Sequence, residues 1–202
     1  VRAHTADDQR VAVRRRLRGK LGADHTARPA AVFHHDLLTE RLLQLAAARR
    51  GLDLSQACWL AFGSEGRSEQ TISTDQDNGL VFESDEPETD RTKWLAFAAQ
   101  VNQALDTCGY PLCKGGIMAG QAQCCMTLAQ WRLAFAHWIE HGGPEDLLNA
   151  SIFFDLRGVA GDESMAQALR ADITASASAS PRFQKQLALN ALTRSVPLDW
   201  RG

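Results

Sequence analysis

The sequence of 202 residues lacks a strong charge of either sign, a long apolar run and the paired cysteines of a zinc knuckle. Its net charge of −2 gives no reason to expect nucleic acid or an anionic membrane as the main partner. No stretch approaches the roughly 18 uninterrupted apolar residues of a membrane helix. Five cysteines, an odd number without C-x₂-C spacing, argue against a disulfide framework and favour the reducing cytoplasm.

The composition is otherwise that of a globular protein, with 45% hydrophobic and 23% charged residues. A chain of this length can bury a sizeable core, and it begins neither with methionine nor with a signal peptide, so we expect a soluble fragment of a longer protein. Apolar spacing predicts helices over 36–50, 92–108, 128–141, 163–173 and 183–196. A basic linker helix is predicted within residues 1–28, and surface loops over 83–90 and the Ala/Ser stretch 175–180.

The most informative stretch runs from Trp59 to Glu83. Trp59 begins an apolar run of strand length, which Gly63 ends at a point where a side chain would block a tight turn. Ser64 stands where a helix N-cap belongs, and Arg67 follows three residues later. A strand that passes through Gly-Ser into a helix points backbone N–H groups at whatever lies in front of it, which favours a phosphate.

Two aspartates, Asp75 and Asp77, precede a second apolar strand over 79–82. Side chains at i and i+2 of a strand share one face. At the resulting separation of about 6.6 Å, two anions repel by about 2.5 kcal/mol at an effective dielectric of about 20. The pair therefore predicts a bound cation, and oxygen ligands favour Mg²⁺ or Mn²⁺ held together with substrate phosphates. An exposed turn with two solvated acids is the alternative.

The pattern of Gly63-Ser64 followed by Asp75-x-Asp77 resembles the signature of the DNA polymerase β-type nucleotidyltransferase superfamily. Within it, the stretch GSEGRSEQTISTDQDN is similar to the nucleotidyltransferase domain related to the bacterial protein-PII uridylyltransferase, often found with CBS and cyclic-nucleotide-binding domains. Later blocks of that domain resemble residues 109–119, 131–132 and 152–157. The superfamily usually carries an apolar residue between the two acids, whereas this chain has Gln76.

The resemblance implies an α/β (α+β) fold, a small mixed sheet flanked by many helices, with a nucleotidyltransferase core over 29–107 and a helical substrate-binding extension over 108–202. It implies transfer of a nucleoside monophosphate from a nucleoside triphosphate to an acceptor hydroxyl, on a protein in bacterial signalling. Asp75 and Asp77 would bind Mg²⁺ or Mn²⁺, and Gly63, Ser64 and Arg67 would hold the phosphates. Regulatory domains would precede Val1.

Two further residues are candidates for the same site. The run 151–157 predicts a strand that completes the core sheet, and it places Asp155 inside an otherwise apolar segment. Asp155 would either be the third catalytic, metal-binding carboxylate or pair with Arg157, because buried acids are rare unless paired or metal-bound. Lys114, in a glycine-rich loop, would meet the triphosphate or stay in solvent. A catalytically silent nucleotide-sensing or protein-interaction module of the same fold is the alternative to an enzyme.

Overall fold

In the computed structural model, which describes residues 30–69 and 75–193, four strands form one mixed sheet with helices on both faces. The predicted linker helix over 1–28 lies outside the described residues. The strands are β1 (Ala57–Ala61), β2 (Asn78–Phe82), β3 (Cys125–Thr127) and β4 (Arg157–Gly161). The α-helices are α1 (Ala30–Arg50), α2 (Gly63–Gly66), α3 (Pro87–Thr107), α4 (Leu128–His141), α5 (Pro144–Phe153), α6 (Glu163–Ser178) and α7 (Pro181–Thr193).

The sheet order is β3-β2-β1-β4. Strand β1 runs antiparallel to both of its neighbours, whereas β2 and β3 are parallel. This small mixed sheet among helices confirms the predicted α/β fold class. The strand predicted from Trp59 is β1 and the one predicted over 79–82 is β2, so the two strands on either side of the Gly-Ser turn and the aspartates are adjacent.

Strand β1 is buried along its whole length because successive side chains enter two different cores. Trp59 packs on one face of the sheet with apolar residues of α1 and α3. Leu60 packs on the other face with apolar residues of α4 and α6. Each fully buried large apolar side chain stabilises the fold by about 1.5–3 kcal/mol, so the unbroken apolar run marks the centre of the sheet.

The helices predicted over 36–50, 92–108 and 128–141 correspond to α1, α3 and α4. Helix α4 begins at a capping box in which the Thr127 side chain accepts from the Gln130 backbone and the Gln130 side chain accepts from the Thr127 backbone. Two loop predictions were partly wrong. Helix α3 already begins at Pro87, whose missing N–H costs nothing in a first turn. Helix α6 continues through the Ala/Ser stretch to Ser178, since alanine is the strongest helix former.

The prediction of a strand over 151–157 was wrong. Residues up to Phe153 belong to α5, which starts at Pro144 after a capping interaction from the Gly143 N–H to the Asp146 carboxylate, 2.9 Å. Ala150 and Phe153, three residues apart, face the core, which is helical spacing. The sheet is completed by β4, which begins at Arg157. The division of the chain into a core and an extension at residue 108 stays a prediction.

Candidate functional site

The turn after β1 is a single helical turn, α2. Its N-cap is Phe62 rather than Ser64, so the prediction of Ser64 as the cap was wrong and Ser64 lies inside the turn. Gly63 has φ of +54°, a conformation that side chains other than glycine rarely adopt. The first amides of a helix have no partner within it, so the N–H groups at the start of this turn are suited to receive an anion.

Asp77 lies directly against this turn. A Cβ added to Gly63 would be 3.8 Å from Oδ2 of Asp77, and the Phe62 N–H donates to the Asp77 carbonyl oxygen at 2.9 Å. Asp77 is half-buried and Asp75 is exposed. The pKa of Asp77 is raised, first by its removal from water and then by the negative charges of Asp75 and Glu65. A half-buried carboxylate surrounded by other acids is a suitable position for a cation.

Gln76, the polar residue between the two acids, faces the opposite side and is buried. Its side-chain amide donates to the carbonyl oxygens of Asn102 (3.0 Å) and Tyr110 (2.8 Å), and its oxygen accepts from the Asn102 side chain at 2.8 Å. Asn78 joins this network by accepting from the Asn102 side chain at 2.9 Å. The polar side chain of Gln76 is therefore satisfied by hydrogen-bond partners on α3 and the loop after it. Asp75 and Asp77, its two neighbours, are left for the opposite side of the segment.

The loop that follows α3 passes over Asp77. The Gln76 N–H donates to the Pro111 carbonyl oxygen at 3.0 Å, and the Asn78 N–H donates to that of Ile117 at 3.1 Å. Cys113 lies between these two anchors, and burial raises the pKa of its thiol. Lys114 is exposed in the same loop, one residue beyond the thiol.

Arg67 is held by two acids at the end of the α2 turn. It donates to Asp155 through Nη1 at 2.6 Å and to Glu69 through Nε at 2.7 Å, and hydrogen bonds to Glu69 and then Asp155 raise the pKa of its guanidinium. Both Arg67 and Asp155 are more than two-fifths exposed. The prediction that Asp155 is buried was wrong, because the chain has left α5 at this point and has not yet entered β4.

The structure does not bring Asp155 together with Asp75 and Asp77. Their carboxylate oxygens do not form a group within 4.8 Å of one another, and no such group of three among the described residues includes any of them. The alternative pairing of Asp155 with Arg157 was also wrong, since Arg157 binds elsewhere.

Arg157 instead belongs to a buried charge cluster that sequence reasoning missed. It donates to both oxygens of Asp36, from Nη2 at 2.7 Å and Nη1 at 3.0 Å, and from Nε to the Glu65 carbonyl oxygen at 3.1 Å. Glu65, only 1% exposed, has Oε1 2.9 Å from Nδ1 of His35, although the angles are not those of a hydrogen bond. The cluster ties α1 and β4 to the α2 turn.

His35, Asp36 and Glu65 have ligand atoms within 4.8 Å of one another, which is close enough for a metal ion. However, the Arg157 guanidinium already occupies both oxygens of Asp36. A divalent cation beside a guanidinium would be repelled. We therefore assign this cluster to fixing the α2 turn. No spacing in the sequence links Asp36 to Arg157, which follows 121 residues later.

A glycine-serine turn at the end of one strand, facing an aspartate pair at the start of the next, is the arrangement of a nucleotidyltransferase-like protein. The chain belongs to the family described as Putative nucleotidyltransferase DUF294, which matches it over residues 9–145. No curated protein and no solved structure matches the chain. Within 30–69 and 75–193, no helix is long and apolar enough to cross a membrane.

Proposed function

We propose that the protein is a metal-dependent nucleotidyltransferase that moves a nucleoside monophosphate from a nucleoside triphosphate to an acceptor hydroxyl. The observation that carries this proposal is the contact between the desolvated carboxylate of Asp77 and the Gly63 turn. A phosphate received by the first amides of that turn would lie beside a carboxylate that is suited to a cation. Membership of the family supports the nucleotide as substrate.

Asp75 and Asp77 would hold Mg²⁺ or Mn²⁺, since an exposed and a half-buried carboxylate at one edge of the site fit a hard cation. When bound, the metal would supply positive charge to the triphosphate and the attacking oxygen. Gly63 and Ser64 would bind phosphate through backbone N–H groups. Lys114 would reach the triphosphate from the loop above Asp77. Arg67 would release the Asp155 carboxylate and bind phosphate instead.

In the reaction, the acceptor hydroxyl gives its proton to solvent and its oxygen forms a bond to the α-phosphorus, while the bond from that phosphorus to the pyrophosphate oxygen breaks and pyrophosphate leaves. The protein contributes by aligning these groups and by stabilising the charge on the phosphate oxygens. We infer from the resemblance to the protein-PII uridylyltransferase that the acceptor is carried by a protein in a bacterial signalling system, with regulatory domains N-terminal to this chain. The odd number of cysteines, without a disulfide framework, supports a cytoplasmic location.

A thermal melt tests the nucleotide site. Mg²⁺ or Mn²⁺ with one of the four nucleoside triphosphates should raise the melting temperature, because a ligand at 100 times its dissociation constant stabilises by about 2.7 kcal/mol. The double variant Asp75→Asn/Asp77→Asn should lose this rise. Asp85→Asn, which removes an exposed acid beyond the other end of β2, is the matched control and should keep it. No shift with any triphosphate at millimolar concentration would refute the site.

One observation favours the second candidate, a nucleotide-sensing module without transferase activity. Asp155 pairs with Arg67 and does not complete a triad with Asp75 and Asp77. A site with two carboxylates would still bind metal and nucleotide but would lack a third group at the attacking oxygen. A melt that shows metal-dependent nucleotide binding, together with no transfer of label, would select this candidate.

A further inference from the structure

Strand β2 is buried on both faces, so its apolar residues do not by themselves fix its register. Leu80 packs into the core on the α1 and α3 side, and Val81 packs into the core on the α4 and α6 side. A slip by one residue would exchange the two faces, and an apolar side chain would still meet an apolar core on each side. The same slip would turn Asp77 away from the Gly63 turn. Polar contacts therefore have to hold Asp77 on its side of the sheet.

These contacts are made by the two neighbours of Asp77 in the chain. The side chains of Gln76 and Asn78 are each only 1% exposed and face α3. Asn102 of α3 contacts both of them, because its side-chain amide donates to the Gln76 oxygen at 2.8 Å and to the Asn78 oxygen at 2.9 Å. Since side chains alternate along a strand, two neighbours held on the α3 side leave Asp77 on the opposite side.

The orientation of the Asn102 amide is itself fixed. Its oxygen accepts from the Gly120 N–H at 2.9 Å, and a backbone N–H can only donate, so the NH₂ group has to face the other two amides. The Gln76 NH₂ group donates to two backbone carbonyl oxygens, and the Asn78 oxygen also accepts from the Ala119 N–H at 2.9 Å. Reversing any one of the three amides would set donor against donor or acceptor against acceptor.

We propose that Asn102 is a positioning residue for the metal site. By holding the two neighbours of Asp77 on the α3 side, it keeps the Asp77 carboxylate at the Gly63 turn. This inference rests on the proposed function only in taking Asp77 as a metal ligand. Removing a group that orients a metal ligand typically weakens metal binding by about 10- to 100-fold. A network that only stabilised the fold would leave the metal affinity of the folded protein unchanged.

The test is Mn²⁺ binding to the protein alone, followed by electron paramagnetic resonance of free Mn²⁺. Asn102→Asp keeps the shape of the side chain but replaces the donating NH₂ group by an oxygen, and it should weaken Mn²⁺ binding by about 10-fold or more. The added negative charge would by itself attract the cation, so a loss of affinity reports the misplaced Asp77 carboxylate. Asn102→Ser, which keeps one donor and one acceptor, should weaken binding less.

Thr127→Val is the matched control. Thr127 is also buried and polar, and its hydroxyl accepts from the Gln130 N–H at the start of α4. It pairs with Phe82, at the end of β2 that is far from Asp77. Loss of this cap should lower the urea midpoint but leave Mn²⁺ affinity at the parent value. Mn²⁺ affinity is measured without urea, and the urea midpoints establish that each variant is folded.

The outcomes separate this inference from the proposed function. Equal Mn²⁺ affinity for folded Asn102→Asp and the parent, or an equal loss in Thr127→Val, would overturn the positioning role while metal-dependent nucleotide binding stood. If Asn102→Asp does not fold, parent-like Mn²⁺ affinity in Asn102→Ser would overturn it. Absence of Mn²⁺ binding by the folded parent would also overturn it. Weakened Mn²⁺ binding in the Asn102 variants but not in Thr127→Val would support it, even if no nucleotide were bound or transferred.

Discussion

Replacing Asp36 by asparagine should destabilise the protein far more than the same change at Asp155. Asp36 holds Arg157 through both carboxylate oxygens, and the two side chains are only 17% and 10% exposed. Asparagine keeps the shape of the side chain but removes the charge. The Arg157 guanidinium would then be buried without an anion at that position.

The magnitude follows from burial. Breaking a buried ion pair by removing one partner typically costs about 3–5 kcal/mol, so we expect about 3 kcal/mol or more for Asp36→Asn. For a chain of this size this corresponds to a fall in melting temperature of roughly 6–12 °C. The pair of Arg67 and Asp155 is over 40% exposed on both sides, and exposed pairs contribute about 0–1 kcal/mol. Asp155→Asn should therefore stay within about 1 kcal/mol of the parent.

Urea unfolding of the two variants, measured beside the parent at neutral pH, provides the comparison. The two substitutions are chemically identical, so a difference between them reports the environment of each aspartate. Similar losses for both variants, or a larger loss for Asp155→Asn, would refute the assignment of Arg157 to Asp36.

Two further predictions concern single residues of the site. Burial raises the pKa of Asp77, so its ionised form destabilises the folded state at neutral pH, and Asp77→Asn should raise the free energy of unfolding there. In urea unfolding this gain should shrink as the pH falls towards 3.8, the ordinary pKa of an aspartate. A gain that stays constant with pH would contradict the raised pKa. Gly66→Ala should cost about 3 kcal/mol or more in the same assay, since its Cβ would lie 1.7 Å from the Asp155 carbonyl oxygen. Gly115→Ala meets only ordinary contacts and should be tolerated, so equal losses would contradict the close approach.

The sequence predicted β1, β2 and the longer helices because their signals are local. An unbroken apolar run such as that from Trp59 marks a strand buried on both faces, and helical spacing marks α3 and α4. The strand prediction for 151–157 failed because three consecutive apolar residues fit a buried strand and a buried helix equally well. The capping interaction at Gly143, nine residues before Ile152, starts helix α5 and thereby favours the helix over the strand.

The candidate site was predictable where its residues are neighbours in the chain. Gly63, Asp75 and Asp77 carry a recognisable spacing, and the structure places Gly63 and Asp77 in contact. The partners that fix them come from distant segments. Asp36 reaches Arg157, and Pro111 and Ile117 reach the two neighbours of Asp77, only after the helices and the loop have packed, so no periodicity of the sequence could reveal these pairs.

Transfer of a nucleotide by this chain can be observed directly. The most direct test incubates the protein and Mg²⁺ with each of the four triphosphates, labelled at the α- or the γ-phosphate, in a bacterial lysate. We expect that the α-label becomes attached to an acceptor, that the γ-label does not, and that Asp77→Asn abolishes the transfer. No α-label on any acceptor from any triphosphate, or equal labelling by Asp77→Asn, would contradict it.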